Sequence, residues 1–347
     1  MADIKTRQEE SGARRRRAIP GLSSAFIFVI LAGLVIAFSI MEGTAFLSAE
    51  NFVTIGEDAS ELLLLAVGVT FVIITAGIDL SVGSILVLSS VIAAQTMVAL
   101  SGTPEQVRSY QFPNQEVGIP VGIAAGLLVG LACGFINGLL VTKLKLTPFI
   151  VTLGTLGIFL GTAQILSGGT NVPYVPTAIQ TEIGTRNLFG FLPVPIAIGL
   201  VVVILAILAL HLTRFGRYTY AIGSNVEAAR RVGIDVDRHL LKVYALSGFL
   251  AGLAGIIDLA RFNTASVGAH TLDNLAAISA AVIGGTSLFG GIGTIVGSLV
   301  GTFIPAVLRN GFIIAGVQAF WQEVAIGIVL LLAVFIDQRR RSAEERM

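Results

Sequence analysis

The sequence is poor in charge and in the residue patterns that carry most enzyme chemistry. Only 12% of its 347 residues are charged, about half the roughly 25% that is usual in soluble domains. The single cysteine, Cys133, excludes an internal disulfide and a cysteine-cluster metal site. No lysine follows a glycine, which excludes a Walker-type phosphate loop, and the three histidines form no HExxH motif. We therefore expect no catalytic residue, no metal and no cofactor.

Apolar residues are abundant and occur in long stretches. They make up 54% of the chain, which also contains 40 glycines, as is usual where membrane helices pack closely. A helix needs about 20 apolar residues to cross a bilayer. The sequence thus predicts an all-α polytopic membrane protein with about ten transmembrane segments, near 20–42, 61–76, 83–100, 118–142, 148–166, 193–212, 240–260, 273–284, 292–310 and 316–336.

Basic residues predict the orientation of these segments. Only Arg108, Arg186, Arg261 and Arg309 fall on one predicted side, and all other lysines and arginines fall on the side of the N-terminus. Because cytoplasmic loops are rich in Lys and Arg, we expect both termini to be cytoplasmic. The predicted domains are a basic cytoplasmic tail at 1–19, a membrane domain at 20–336 with a cytoplasmic loop at 213–242, and a cytoplasmic tail at 337–347. The run Arg14–Arg17 could also be a nucleic-acid tag, which an apolar span directly after it disfavours.

Two adjacent pairs of segments are interrupted by polar, glycine-rich breaks. The breaks read TAGIDLSVGS at 75–84 and GGTSLFGGIG at 284–293, and the segments before them, 61–76 and 273–284, are short for full spans. They overlay at an offset that places Gly77 on Gly285 and Gly83 on Gly291, a weak sign of an internal repeat. Each pair could be two full spans or one re-entrant element.

Asp79 lies in the first break, between two apolar stretches. We expect Gly77 to end one helix and Asp79 to cap the next by accepting its free N–H groups, with Ser81 sharing that role. A carboxylate at a helix N-terminus is also favoured by the helix dipole. Substrate contact and proton coupling are the alternatives.

The loop at 213–242 contains a helix signature outside the apolar segments. Ser224 and Glu227 form a predicted capping box, and Gly233 is a predicted stop after a helix of about eight residues. Such a short helix is marginal alone, so a surface must pack on it. That surface is either anionic lipid or a cytoplasmic protein partner. In the apolar segments, glycines recur every four residues from Gly122 to Gly138, which predicts close helix packing rather than a flexible gating helix.

Several stretches resemble one transporter family. They include GIDLSVGSILVLS (77–89), TPFIVTLGTLGIFLG (147–161), GRYTYAIGSNVEAARRVGIDV (216–236) and AAISAAVIGGTSLFGGIGT (276–294). In this order they resemble the permease subunit of bacterial ABC importers for simple sugars, of the ribose/xylose/galactose type, over about residues 50–335. The resemblance implies a type II ABC importer-like fold in the inner membrane. It also implies import of a pentose, hexose or polyol by alternating access.

The resemblance also implies partners and site residues. The partners are two cytoplasmic ABC ATPase subunits, an extracytoplasmic sugar-binding protein, a second permease copy in a homodimer and the lipid bilayer, without nucleic acid. Residues expected to couple to the ATPase are Gly223, Ser224, Asn225, Glu227, Ala228, Ala229, Arg230 and Gly233. The expected broken-helix and pathway residues are Gly77, Asp79, Ser81, Gly83, Asn137, Thr152, Thr155, Gln164, Gly285, Thr286 and Ser287.

Polar placement alone leaves other interpretations open. Asn137, Thr152, Thr155 and Gln164 could each form an interhelical hydrogen bond instead of lining a pathway. An ion- or proton-coupled secondary sugar carrier is the alternative class of function, although Asp79 alone among the acids is predicted at mid-membrane. A passive channel is the third class.

Overall fold

The protein is described by a computed structural model that covers residues 21–270, 272–318, 320–322, 324–325, 327–328, 331–332 and 335. Within these ranges it is a bundle of helices with one two-stranded antiparallel ribbon, β1 (Asn187–Leu188) and β2 (Leu192–Pro193). The predicted tails at 1–19 and 337–347 lie outside the described residues.

The α-helices with defined bounds fall into long and short ones, and the described residues between 320 and 335 are helical as well. The long ones are α1 (Gly21–Glu42), α2 (Ala49–Ile74), α3 (Val82–Ser101), α5 (Gln115–Thr142), α6 (Pro148–Ser167), α8 (Val194–Leu212), α11 (Val236–Phe262) and α13 (Ile295–Ile314). The short ones are α4 (Pro104–Arg108), α7 (Thr177–Ile179), α9 (Arg214–Ser224), α10 (Val226–Arg231) and α12 (Asp273–Ile283). A π-helical turn at Gln180–Gly184 follows α7.

Six of the described helices, α3, α5, α6, α8, α11 and α13, are long and apolar enough to cross a membrane. This identifies a multi-pass membrane protein. Helix α12 has 11 residues, which at about 1.5 Å per residue is too short to cross alone. The count of ten crossings and the re-entrant pairs stay predictions.

One predicted segment has the wrong bounds. The run 61–76 is not a short span, because it is the second half of the 26-residue helix α2. This helix begins after the N-cap Ser48, whose side chain accepts a hydrogen bond from Asn51 N. Its first half carries Glu50, Glu57 and Asp58, and these charges hide it from a search for apolar stretches.

Helices α5 and α11 pack backbone to backbone, as the glycine repeat predicts. A Cβ atom added to Gly134 would overlap Tyr244 O and lie 2.9 Å from Gly248 Cα. A Cβ on Gly130 would lie 2.8 Å from Gly252 Cα. The prediction of close helix packing is confirmed, and this contact holds α11 against the helices that frame the first break.

Candidate functional site

The first break begins where α2 ends, and its geometry is a Schellman motif. Ala76 N–H donates to Ile73 O at 2.8 Å and Gly77 N–H donates to Val72 O at 3.0 Å, which satisfies the last carbonyls of the helix. Ala76 is the left-handed residue, with φ of 61°. The prediction that Gly77 ends the helix is therefore wrong by one residue. Gly77 instead provides space, since a Cβ there would lie 2.7 Å from the Tyr244 hydroxyl oxygen.

Asp79 lies in the break and is fully buried. Its Oδ1 accepts from Ser81 N at 3.0 Å and from Ser81 Oγ at 2.7 Å, and its Oδ2 accepts from Ser247 Oγ at 2.9 Å. Helix α3 begins at Val82, directly after Ser81. Asp79 thus binds the residue before the helix and ties it to α11.

The predicted cap of α3 by Asp79 and Ser81 is wrong in its geometry. Ser81 is the N-cap residue, but its side chain makes no capping hydrogen bond. The physical reason is that the Ser81 hydroxyl donates to Asp79 and accepts from Asn137 Nδ2 at 2.8 Å. It is therefore engaged across the bundle instead of along the helix.

Three helices hold the carbonyl and hydroxyl groups of the first break. Asn137 on α5 binds Ser81, and Asn274 Nδ2 on α12 donates to Leu80 O at 3.1 Å. The Thr152 hydroxyl on α6 lies between two acceptors, Ile78 O at 3.1 Å in the break and Pro148 O at 3.0 Å in its own helix. Because each buried carbonyl needs a donor, the extended chain at 77–81 is held from several sides. Asn274 was missed by sequence reasoning, because only the fold brings α12 to this loop.

The structure brings some predicted pathway residues together and not others. Asp79, Ser81, Asn137 and Thr152 belong to one buried network. The Thr155 hydroxyl donates only to Thr152 O in its own helix, at 3.4 Å. Gln164 lies on an exposed face near the end of α6 and does not contact the break.

The second break repeats the Schellman motif at the end of α12. Gly285, with φ of 89°, donates to Val282 O at 2.9 Å, and Thr286 N–H donates to Ala281 O at 3.0 Å. Gly285 is therefore equivalent to Ala76 and not to Gly77, so the predicted overlay is wrong by one residue although the motif recurs. Ser287 N–H donates to Ile292 O at 3.0 Å, which closes a longer loop before α13.

The two breaks meet at one end of the bundle. Gly291 N–H donates to Ile74 O, the last residue of α2, at 2.8 Å. A Cβ added to Gly290 would lie 2.8 Å from Ala76 Cβ. The breaks are far apart in sequence, at 75–84 and 284–293, and their contact is a finding of the structure.

Helix α9 contacts both breaks at the same place. A Cβ on Gly223 would overlap Ile74 O and lie 2.6 Å from Gly291 N, and a Cβ on Gly290 would lie 2.9 Å from Gly223 O. We call the residues Ile74, Gly223, Gly290 and Gly291 the junction. Because Gly223, Gly290 and Gly291 have no side chain, their two segments can approach each other and the backbone of Ile74 this closely.

A tyrosine of α9 adds a side-chain contact beside the junction. The Tyr220 hydroxyl donates to Gly293 O at 2.6 Å. Burial raises the pKa of the Tyr220 phenol above its usual value, so it stays protonated and remains a donor at neutral pH. The second break is thus bound to α9 by backbone and by side chain.

Helix α9 itself was not predicted. Thr213 is its N-cap and accepts from Phe215 N and Gly216 N, and buried Thr219 and Ile222 share its inner face. The sequence signal was a threonine before an amphipathic stretch, which the apolar background obscured.

The predicted cytoplasmic helix is present as α10, one residue later than expected. Its N-cap is Asn225, whose Oδ1 accepts from Ala228 N at 2.9 Å. The predicted capping box of Ser224 and Glu227 is wrong, because Ser224 is the last residue of α9. Gly233, with φ of 85°, ends the helix as predicted.

Helix α10 is supported by its own chain and exposes the opposite face. Ala229 is buried in a small cluster with Ile222 and Val236, so the short helix does not need an outside partner to hold it in place. Arg230 pairs with Asp237 at 2.9 Å. The exposed face carries Val226, Glu227, Ala228, Arg231 and Val232.

Ion pairs lie at the end of α11 that is remote from α10. Arg261 is 2.7 Å from Asp58, 2.6 Å from Glu61 and 3.6 Å from Glu57. These contacts tie the start of α2 to the end of α11. Within the described residues, no group of three or more His, Cys, Asp or Glu side chains has an arrangement that could hold a metal.

The long apolar helices define a multi-pass membrane protein. The model of the permease family described as "Branched-chain amino acid transport system / permease component" matches residues 51–334. The chain therefore belongs to this permease family.

Several curated proteins are similar to the chain over most of its length. The ribose import permease protein of Bacillus subtilis (strain 168) is 41% identical over 97% of this chain and 99% of its own. The fructose import permease protein of Rhizobium meliloti is 36% identical over 91% of this chain and 85% of its own. The D-allose transport system permease protein of Escherichia coli (strain K12) is 37% identical over 90% of each chain. No solved structure matches the chain.

Proposed function

We propose that the chain is the membrane-spanning permease of an ATP-driven importer for a monosaccharide, either a pentose, a hexose or a related polyol. The observation that carries this is the match to a ribose import permease over 97% of this chain and 99% of that protein. The similarity thus extends over the whole membrane domain. The name of the family refers to branched-chain amino acids, whereas the names of these three relatives refer to sugars.

The chemistry of the buried network supports a neutral substrate. An amino acid carries an ammonium and a carboxylate, and each needs an opposite charge when it leaves water. Around the first break the partners are hydroxyls and amides, and both oxygens of Asp79 are occupied by Ser81 and Ser247. Hydroxyl-rich sugars suit such a setting.

The exposed face of α10 is the proposed docking surface for an ABC ATPase subunit. Helix α10 follows directly after α9, and α9 contacts both breaks at the junction. Movement of α10 on the ATPase would therefore reach the end of α2 and the loop of the second break together. The other proposed partners are a second copy of the chain and an extracytoplasmic sugar-binding protein. Both termini are proposed to be cytoplasmic, with 213–242 on the same side.

A proton-coupled carrier is less well supported. Such a carrier needs a carboxylate that exchanges protons with water during the cycle. Asp79 is fully buried and accepts three hydrogen bonds, which fits a fixed structural role.

The test is reconstitution of the chain in liposomes, alone and with the ATPase subunit and binding protein encoded by neighbouring genes. We expect ATP-dependent accumulation of radiolabelled ribose, fructose or allose only in the complete assembly, with leucine as the matched probe that is not taken up. Leucine uptake by the complete assembly would overturn the sugar assignment. Sugar accumulation by the chain alone under an imposed proton gradient would overturn the ATP-driven assignment.

A further inference from the structure

Helix α9 begins where the apolar surface of α8 ends. The 19 residues of α8 match the thickness of a hydrocarbon core, about 30 Å, and its exposed residues are mostly apolar up to Leu212. Only Thr213 separates the two helices. A Cβ added to Gly216 would overlap Leu210 O, so the first turns of α9 pack on the last turn of α8. The start of α9 therefore lies at the level of the lipid headgroups.

The outer face of α9 carries positive charge and an aromatic ring. It consists of Arg214, Arg217 and Tyr218, which are all exposed and lie three and four residues apart on one side of the helix. Buried Thr219 and Ile222 lie on the opposite side. The helix contains no acidic residue, and none of the ion pairs among the described residues includes Arg214 or Arg217. Two positive charges at the membrane boundary thus have no negative partner in the described part of the chain.

The arginines that follow α9 differ in this respect. Arg230 pairs with Asp237, and Arg238 pairs with Asp235, so the chain itself neutralises these two charges. The outer face of α9 is left with its charge, and it is continuous with the exposed apolar side of α8. This combination fits a partner that has an anionic group next to apolar chains.

We propose that the outer face of α9 binds the phosphates of anionic phospholipids. Guanidinium groups bind phosphate through two parallel hydrogen bonds, and tyrosine rings are favoured at the level of the headgroups. The apolar side of α8 would contact the acyl chains of the same lipids. Because α9 also contacts both breaks at the junction, a bound lipid would hold the helix that connects α10 with the breaks. The proposal does not depend on which substrate is carried.

Fluorescence quenching by lipids tests this surface. Trp321 is the only tryptophan, so Tyr218→Trp combined with Trp321→Phe places one fluorescent ring beside the two arginines. The full-length chain is reconstituted in equal mixtures of phosphatidylglycerol and phosphatidylcholine, in which one lipid or the other has brominated chains that quench tryptophan. We expect phosphatidylglycerol to be enriched about fivefold at this ring, the factor for one cation close to an anionic surface.

Three comparisons show whether the arginines cause the enrichment. Arg214→Gln together with Arg217→Gln should reduce it to about one. Arg238→Gln removes a positive charge from the same loop and should leave it unchanged. Leu205→Trp, again with Trp321→Phe, lies on the exposed side of α8 and should be quenched equally by the two lipids. If the double arginine variant does not fold, about 0.5 M NaCl should reduce the enrichment with both arginines present, because salt screens exposed charges.

Two results would overturn the proposal. The first is equal quenching of Tyr218→Trp by the two lipids, or an enrichment that persists in the double arginine variant and in high salt. The second is quenching of Leu205→Trp by both lipids while Tyr218→Trp is quenched by neither, because the outer face of α9 would then lie away from the bilayer and be free to contact the ATPase subunit.

Discussion

Each of the two breaks begins with a Schellman motif, but the two are held in place by different contacts. The first, at 75–81, is fixed by buried side chains from α5, α6, α11 and α12 around Asp79. The second, at 284–294, is fixed by backbone contacts to Ile74 and Gly223 and by one hydroxyl from Tyr220. The first therefore depends on polar groups, and the second depends on the absence of side chains.

This difference indicates a division of roles between the breaks. The hydrogen-bonded buried polar groups of the first break resist displacement, because each of them loses free energy when it loses its partner. Backbone contacts made through glycine depend on distance and are lost when one segment moves. We expect the first break to be the fixed point of the bundle and the second to be the part that responds to α9 and α10.

The largest effect is expected at the first break, when the Asp79 carboxylate is removed. Asp79→Ala leaves Ser81 N–H and two serine hydroxyls without their acceptor, and we expect a loss of about 3 kcal/mol of stability and complete loss of transport. Asp79→Asn keeps Oδ1 as an acceptor, and the Ser247 hydroxyl can rotate to accept from the new amide. We therefore expect Asn to retain most stability and uptake. Thermal unfolding in detergent and sugar uptake measure both.

An outcome that separates charge from hydrogen bonding is Asp79→Asn with normal stability and no uptake. That result would show that the carboxylate charge is needed for transport, and it would contradict the fixed structural role.

The second break is tested by adding one methyl group at Gly223. Gly223→Ala places a Cβ on Ile74 O and close to Gly291 N, and backbone atoms cannot rotate away as a side chain can. We expect a loss of about 2 kcal/mol of stability, with a larger loss of ATP-coupled uptake than the stability change alone explains. The measurements are thermal unfolding and the ratio of sugar transported to ATP hydrolysed.

The matched control for that substitution is Gly33→Ala. Gly33 lies inside α1 with nothing within 4 Å of an added Cβ, so alanine should be neutral or stabilising by up to about 1 kcal/mol. Equal behaviour of the two variants would remove the proposed role of the junction.

The positions of the breaks could be predicted from sequence, but the contacts that hold them in place could not. Glycine and polar residues inside apolar runs mark where helices stop, as at Gly233, and glycines repeated every four residues mark close helix packing, as in α5. Ala76 in a left-handed conformation was not predictable, because alanine normally disfavours it. Tertiary contact around the break overrides that preference.

The donor that α11 supplies to Asp79 was missed for a different reason. This donor, Ser247, is remote in sequence and resembles many other serines in apolar helices, so nothing local identifies it. The same holds for Asn274, which reaches the break only because α12 packs beside α3. Capping was predicted for Asp79 and Ser224 from local sequence rules, and both were displaced by contacts or helix ends that the chain makes elsewhere.

A smaller effect is expected when the first break loses one of its side-chain contacts. Thr152→Val takes away the hydroxyl that binds Ile78 O and keeps the shape of the side chain. We expect a loss of about 1 kcal/mol, seen as a lower unfolding temperature. Thr162→Val is the control on the same helix, because its hydroxyl bonds only Ile158 O in its own helix and its loss should have little effect. Similar losses at both positions would mean that Thr152 does not support the break.

The smallest expected effect is at the edge of the second region. Tyr220→Phe removes the hydrogen bond to the carbonyl of buried Gly293 but leaves the ring. Because Tyr220 itself is half-buried, water can take the place of its hydroxyl. We expect a loss of only about 0.5 kcal/mol and a modest fall in the ratio of transport to ATP hydrolysis. Because burial raises the pKa of this phenol, the wild-type ratio should not change between neutral and mildly alkaline pH on account of this group. A loss as large as that of Gly223→Ala would mean that side-chain bonding, and not close backbone contact, holds the second break, and the contrast between the two regions would disappear.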